Sequence, residues 1–126
     1  MSVNRLPDYV GHMLDAVQQA CAYVEGMDKV GFLDDRRTQQ AVIMNLIILG
    51  EAATKLLDGY RDFLERYPEV PWSSMKGMRN RIAHGYFDLD IEIVWETVQT
   101  DLPRLLEQLP AIKAAAITLL GKSGSG

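Results

Sequence analysis

Cysteine is nearly absent from the sequence: Cys21 is the only one among 126 residues, so no disulfide can form within the chain. A single thiol of this kind is typical of proteins in a reducing compartment. Residues 1–14 contain no continuous apolar run of the kind found in a signal peptide, and the most apolar stretch, residues 41–50, is too short to span a bilayer. We therefore expect a cytoplasmic protein without a membrane-spanning segment.

Metal ligands are also scarce. His12 and His84 are the only histidines, and with one cysteine they cannot form a zinc site of the usual nitrogen and sulfur ligands. Asp88 and Asp90 could suggest a magnesium site, but helix capping explains them at least as well. The sequence shows no Ser-His-Asp or Cys-His arrangement and no glycine-rich phosphate loop. We expect neither a metal nor a cofactor.

An excess of positive charge is absent too, because 13 basic residues face 17 acidic ones, giving a formal net charge of -4 and a pI of about 5.1. This charge argues against a protein that coats nucleic acid through an overall positive field. Any phosphate chemistry must therefore depend on a local cluster. Residues 76–84 form such a cluster, since they include Lys76, Arg79, Arg81 and His84 and no acidic residue.

Apolar residues recur at intervals of three and four along the chain, which is the period of amphipathic α-helices, and no strand pattern is present. The predicted main helices cover residues 8–27, 35–57, 71–83 and 91–109, with a short helix after the second one. We expect a single all-α domain over residues 1–120, folded as a bundle of four to five helices. Residues 121–126 are predicted to be a flexible tail or linker.

Local signals mark the ends and bends of these helices. Asp35 and Asp90 are candidate N-caps, and Gly85 is a natural terminator. Pro103 should kink its helix about one turn upstream, and Pro110 should start a new, last helix.

Three features of the sequence concern the core. The second predicted helix is apolar on two faces, which is typical of a helix that is central in a bundle or part of a dimer contact. Asn45 interrupts its apolar run and needs a buried partner. Cys21 lies on the apolar stripe of the first helix and is expected in the core.

Residues 79–86 read RNRIAHGY and contain groups suited to phosphodiester chemistry. Arginine can bind phosphate oxygens, and histidine can move a proton to or from a ribose oxygen, an effect worth roughly 100- to 10,000-fold in rate. On a straight helix, residues five apart differ by about 140° and about 7.5 Å along the axis. Arg79 and His84 therefore converge only if the backbone turns near Gly85, and an extended segment would place His84 and Tyr86 on one face.

The same side chains have simpler explanations. His84 can bind the last carbonyl groups of its helix or lie on the surface, and Arg81 can be a solvated side chain. Tyr86 and Phe87 can pack the loop against the bundle, and for Phe87 we expect this role. From periodicity alone, catalysis is the less favoured interpretation.

Arg79, His84 and Tyr86 follow an R-x4-H-x-Y pattern, and the sequence around them resembles the HEPN-domain ribonuclease toxins of the HepT type. These bacterial and archaeal proteins are encoded beside a minimal nucleotidyltransferase antitoxin. The flanking sequence agrees with the resemblance: residues 49–52 read LGEA, Pro-Trp precedes the motif, and YFD with a later Val-Trp follows it. The resemblance covers residues 5–118, nearly the whole chain.

The resemblance implies a HEPN-like helical homodimer in which two motifs line a shared cleft. It implies a metal-independent ribonuclease that cleaves cellular RNA, such as transfer or messenger RNA, as the toxin of a type VII toxin–antitoxin module. Arg79 and His84 would be catalytic, Asn80 would support them, and the antitoxin would attach AMP to Tyr86. Glu51 either contacts Arg79 and supports the site or is a solvated helix residue.

Two other hypotheses stay open. The chain could be a non-catalytic adaptor that binds a nucleotidyltransferase partner or a nucleotide through the same basic cluster, or a purely structural helical dimer. The acidic pI fits these two more easily than it fits a nuclease. Two copies facing each other would favour the nuclease, because one histidine cannot easily act as both acid and base. The chain has no nucleotidyltransferase signature, so AMP transfer must come from another polypeptide.

Overall fold

The fold is built from helices of very unequal length. The computed structural model describes residues 5–125, with side chains as far as Gly121, and this part of the chain contains no strand. The helices, in chain order, are α1 (Leu6–Tyr23), α2 (Lys29–Leu33), α3 (Arg36–Gly59), α4 (Arg61–Leu64), α5 (Trp72–His84), α6 (Ile91–Glu96) and α7 (Leu102–Ser125). Four of them are long, namely α1, α3, α5 and α7, and the predicted all-α class is confirmed.

Helix α3 lies at the centre of the bundle. It packs against α1 on one side and α5 on the other, while α1 also packs against α7. The two apolar faces of α3 are thus both covered within one chain. By length and composition α3 could cross a membrane, but 56% of its most apolar window is buried inside the bundle, as in the core helix of a soluble protein.

Two polar side chains shape α3. Asp35 caps its N-terminus as predicted, because its carboxylate accepts hydrogen bonds from the Thr38 backbone N–H at 3.0 Å and from the Thr38 hydroxyl at 2.7 Å. These hydrogen bonds hold the pKa of Asp35 below its usual range. Asn45 is buried and donates to the Ala41 carbonyl oxygen at 2.9 Å. Its partner is therefore its own helix backbone.

The first helix is shorter than predicted. It ends at Tyr23 instead of residue 27, and Gly26 has a φ of 79°, a left-handed conformation that ends a helix. The unpredicted helix α2 follows, capped by Asp28, which accepts from the Gly31 N–H at 2.8 Å. Five residues are too few for periodicity to reveal. Cys21 packs against the core but is only partly buried, and this burial raises the pKa of its thiol.

The C-terminal helices agree with one proline prediction and contradict the other. Asp90 caps α6 by accepting from the Glu92 N–H at 2.9 Å. A π-helical turn, Thr97–Asp101, lies just before Pro103, where a kink was predicted, because proline has no N–H and its ring displaces the preceding turn.

The predicted new helix at Pro110 is wrong, since α7 runs through it. Pro110 is exposed, and the buried side chains of Leu109 and Ile112 keep the helix on the core despite one lost hydrogen bond.

The last helix also extends further than predicted. It continues to Ser125, into the segment that was expected to be a tail, and Gly126 lies outside the described residues. A side chain added at Gly121 would meet no other atom within 4 Å, so the helix has left the packed core by that residue. The division into a domain at residues 1–120 and a tail stays a prediction.

Candidate active site

Helices α3 and α5 come into close contact at Gly50. A Cβ atom built on this glycine would lie 2.8 Å from the Met75 carbonyl oxygen and closer still to the Cβ of Arg79. A larger residue would have to push α5 away, because real Cβ atoms do not come this close to backbone oxygens. The contact therefore places the stem of Arg79 on Gly50, within reach of Glu51.

The guanidinium of Arg79 is held by two neighbours. Its Nε donates to Oε1 of Glu51 at 2.6 Å, its Nη2 pairs with the same oxygen, and its Nη1 donates to Oδ1 of Asn80 at 2.6 Å. The contact between Glu51 and Arg79, which the sequence left open, is thus present. Asn80 bonds to the guanidinium, in keeping with the supporting role that the resemblance implied.

The held guanidinium stays accessible. The side chain of Arg79 is 29% exposed and that of Glu51 is 48% exposed. An arginine side chain has five N–H donors, and these bonds occupy three of them among the described residues. Two donors remain for an incoming anion, in the planar arrangement that suits phosphate oxygens.

His84 is the last residue of α5 and does not turn back towards Arg79. The Gly85 N–H donates to the Arg81 carbonyl at 3.0 Å, which completes the last helical turn. The chain changes direction only after His84, at Gly85, whose φ and ψ are -149° and 49°. The turn that convergence within one chain would require is therefore absent before His84, and the helical separation of about 7.5 Å and about 140° applies.

The imidazole of His84 is exposed, and among the residues that the structure describes it forms no hydrogen bond. It lines a groove of about 440 Å³ between α5 and the start of α6, together with Arg81. The other lining residues are mostly apolar: Met78, Ile82, Gly85, Leu89, Ile93 and Val94, with Asp88 and Asp90 at the α6 side. His84 thus presents an imidazole on the α5 side of a groove that Arg81 also lines.

The two aspartates of this groove have a structural explanation in part. Asp90 is the N-cap of α6, as the sequence predicted. Within residues 5–125, no group of three or more His, Cys, Asp or Glu side chains is arranged to hold a metal ion.

Tyr86 and Phe87 lie on a 3₁₀ turn, Tyr86–Asp88, and not on an extended segment. Tyr86 is 44% exposed and Phe87 is 98% exposed, with their rings edge to face at 5.9 Å and 85°. The prediction that Phe87 packs against the bundle is wrong. Successive residues of a 3₁₀ turn point about 120° apart, and Leu89 takes the partly buried position instead.

The close helix packing at Gly50 was not predicted from the sequence, and Arg81 was interpreted as a solvated side chain. Gly50 could have been found, because glycine inside a helix is about 1 kcal/mol less favourable than alanine and often indicates close backbone packing. The groove position of Arg81 had no local signal, since it depends on where α6 lies.

Comparison with known proteins identifies relatives that cover most of the chain, including residues 79–86. The sequence profile of the ribonuclease HepT-like family matches residues 13–112. The chain is 36% identical over 98 residues to a Thermococcus cleftensis protein named "Probable ribonuclease HepT", covering 78% of this chain and 86% of that protein. It is 33% identical over 100 residues to a Methanocaldococcus jannaschii protein named "Putative RNase", covering 79% and 80%. No solved structure matches the chain.

Proposed function

Because the chain belongs to the ribonuclease HepT-like family, we propose that it is a metal-independent ribonuclease that acts as a toxin on cellular RNA. The observation that carries this proposal is the guanidinium of Arg79, which is held by Glu51 and Asn80 and keeps two N–H donors for a phosphate. The unbonded imidazole of His84 lies on the same helix. No acidic residue occurs in residues 76–87, so a phosphate can approach this helix end.

The proposed reaction uses the ribose 2'-hydroxyl as the nucleophile. His84 accepts its proton, the 2'-oxygen attacks the adjacent phosphorus, and the bond to the 5'-oxygen breaks, leaving a 2',3'-cyclic phosphate and a 5'-hydroxyl. Arg79 stabilises the additional negative charge on the pentavalent phosphorus, which is the role that a metal ion would otherwise have. A second imidazole donates the proton that the leaving 5'-oxygen needs.

A homodimer would supply that second imidazole. Arg79 and His84 point in different directions from one α5 helix, so a cleft shared by two α5 helices brings the groups of two copies to one RNA strand. An exposed apolar stripe supports this arrangement. Met44 and Ile48 are 55% and 40% exposed, and their spacing places them on the same face of α3 as Glu51.

Tyr86 is proposed as the residue to which a partner nucleotidyltransferase attaches AMP. Its phenol is exposed enough for an enzyme to reach, and it follows His84 by two residues. AMP at this position would place a bulky anionic group beside the groove and compete with RNA for Arg81 and His84. The pair would then form a type VII toxin–antitoxin module, and both proteins would be cytoplasmic.

Expression in bacteria with and without a cognate nucleotidyltransferase tests the proposal. We expect the unmodified chain to stop growth and the Arg79→Ala variant to permit it, because the phosphate loses its main cation. The purified chain should produce fragments with 2',3'-cyclic phosphate ends in EDTA. An unmodified chain that binds a nucleotide or the partner but never cleaves RNA would instead identify a non-catalytic adaptor, the alternative favoured by the net charge of -4.

A further inference from the structure

Phe87 is the most exposed large apolar side chain of the described residues, at 98%. On the turn its aromatic neighbour is the half-exposed Tyr86, while Gly85 precedes the turn and the exposed Asp88 ends it. A protein partner would usually bury a larger set of apolar side chains together, so two adjoining rings on one turn fit a smaller, flat ligand better.

The ring of Phe87 is presented by a defined turn. Two backbone hydrogen bonds close this turn, from Asp88 N–H to the Gly85 oxygen at 3.0 Å and from Leu89 N–H to the Tyr86 oxygen at 3.2 Å. The Tyr86 ring contacts that of Phe87 edge to face. A ring held in this way and still 98% exposed has an aromatic face open to a ligand.

The ring is also close in sequence to the residues proposed to bind and cleave the phosphodiester. Phe87 follows His84 by three residues and ends the stretch 76–87, which contains three basic residues and no acid. Such a stretch attracts the backbone of a nucleic acid. Single-stranded RNA leaves its bases free to stack on aromatic side chains, and such stacking tolerates any base.

We infer that Phe87 is a stacking platform for a base of single-stranded RNA next to the phosphate that is cleaved. This inference rests on the proposed ribonuclease function. Phe87 binds the substrate without taking part in proton transfer, so its loss should raise KM and leave kcat nearly unchanged. With Phe87 present, the enzyme prefers unpaired RNA, because a base within a duplex cannot reach the ring.

The test uses a short single-stranded RNA with 2-aminopurine at each position in turn, bound to the His84→Ala protein so that no cleavage occurs. Phe87→Leu keeps apolar surface but removes the aromatic face, and should weaken binding about 5- to 100-fold. Phe87→Trp should retain the affinity. Tyr23→Ala removes another exposed aromatic residue, on a helix that packs on α3 and α7, and should leave binding unchanged.

Removing the stacked base from the RNA should lower its affinity for the His84→Ala parent, in which Phe87 is intact. The same removal should change the affinity for the Phe87→Leu variant little further, which is the coupling expected of two groups in contact. Equal RNA affinity of the parent and Phe87→Leu would overturn the inference. So would a Phe87→Leu variant that loses self-association, measured by light scattering, and keeps its RNA affinity. Coupled binding without any cleavage by the unmodified wild-type chain would support base stacking on Phe87 but reject the ribonuclease proposal and, with it, the position of Phe87 beside a cleaved phosphate.

Discussion

Replacing Gly50 by alanine tests the contact that positions the site. The added methyl group would lie 2.8 Å from the Met75 carbonyl oxygen and 3.0 Å from the Cγ of Arg79. Such overpacking lowers the free energy of unfolding by about 1–3 kcal/mol. Alanine also favours the helix by about 1 kcal/mol over glycine, so the expected net loss is about 0–2 kcal/mol.

A matched control separates these two effects. Gly11 is also inside a helix, but a Cβ there would meet only the end of the Lys113 side chain, at 3.5 Å and beyond. Gly11→Ala should therefore show the helix gain alone. The two variants should differ in unfolding free energy by the overpacking term, about 1–3 kcal/mol. For a chain of this size, each kcal/mol of this difference corresponds to roughly 3–6 °C in Tm.

Urea unfolding of both variants provides the comparison, followed by RNA cleavage at a temperature where both are folded. Displacement of α5 moves Arg79, and a shift of about 1 Å in a catalytic group can reduce the rate about 100-fold. We expect Gly50→Ala to lose activity well beyond its loss of stability and Gly11→Ala to keep it. Equal stability and equal activity of the two variants would refute the reasoning.

Three further predictions address other parts of the chain. Glu51→Gln should change Tm little, because its ion pair with Arg79 is partly exposed and worth under about 1 kcal/mol. The same variant should lower kcat roughly 10-fold or more, because Arg79 is held less firmly. Unchanged kcat would contradict this prediction. Asp35→Ala should lower Tm at pH 7, and the difference from wild type should shrink below the ordinary pKa of 3.8, because a lowered folded pKa stabilises only while the carboxylate is ionised; a difference that is constant down to pH 2 would argue against the cap. Pro110→Ala should raise the free energy of unfolding, measured by urea denaturation, by about 1–3 kcal/mol, since it restores a helix hydrogen bond at an exposed position. A free energy of unfolding below that of the wild type would contradict the continuous helix.

The features of the fold that could be predicted from sequence are those with local causes. The caps at Asp35 and Asp90 act over two or three residues, and the bend before Pro103 follows from a missing N–H. Pro110 has the same chemistry with the opposite outcome. Its helix is held by core packing of neighbouring side chains, which only the tertiary structure determines.

The site divides in the same way. The residue types at Arg79, His84 and Tyr86 were identified from their spacing and from the family resemblance. The pairing of Arg79 with Glu51, which are far apart in the sequence, depends on the contact of two helices at Gly50. The exposure of Phe87 depends on the 3₁₀ turn, for which the sequence has no strong signal.

The proposal of a metal-independent ribonuclease with His84 in its site is tested by cleavage of end-labelled transfer RNA in EDTA. The assay compares the wild-type chain with His84→Ala purified in the same way. The intact mass of each sample must first show that Tyr86 carries no AMP. We expect cleavage by the wild type and none by the variant. Equal cleavage by both proteins, or no cleavage by the unmodified wild type, would contradict it.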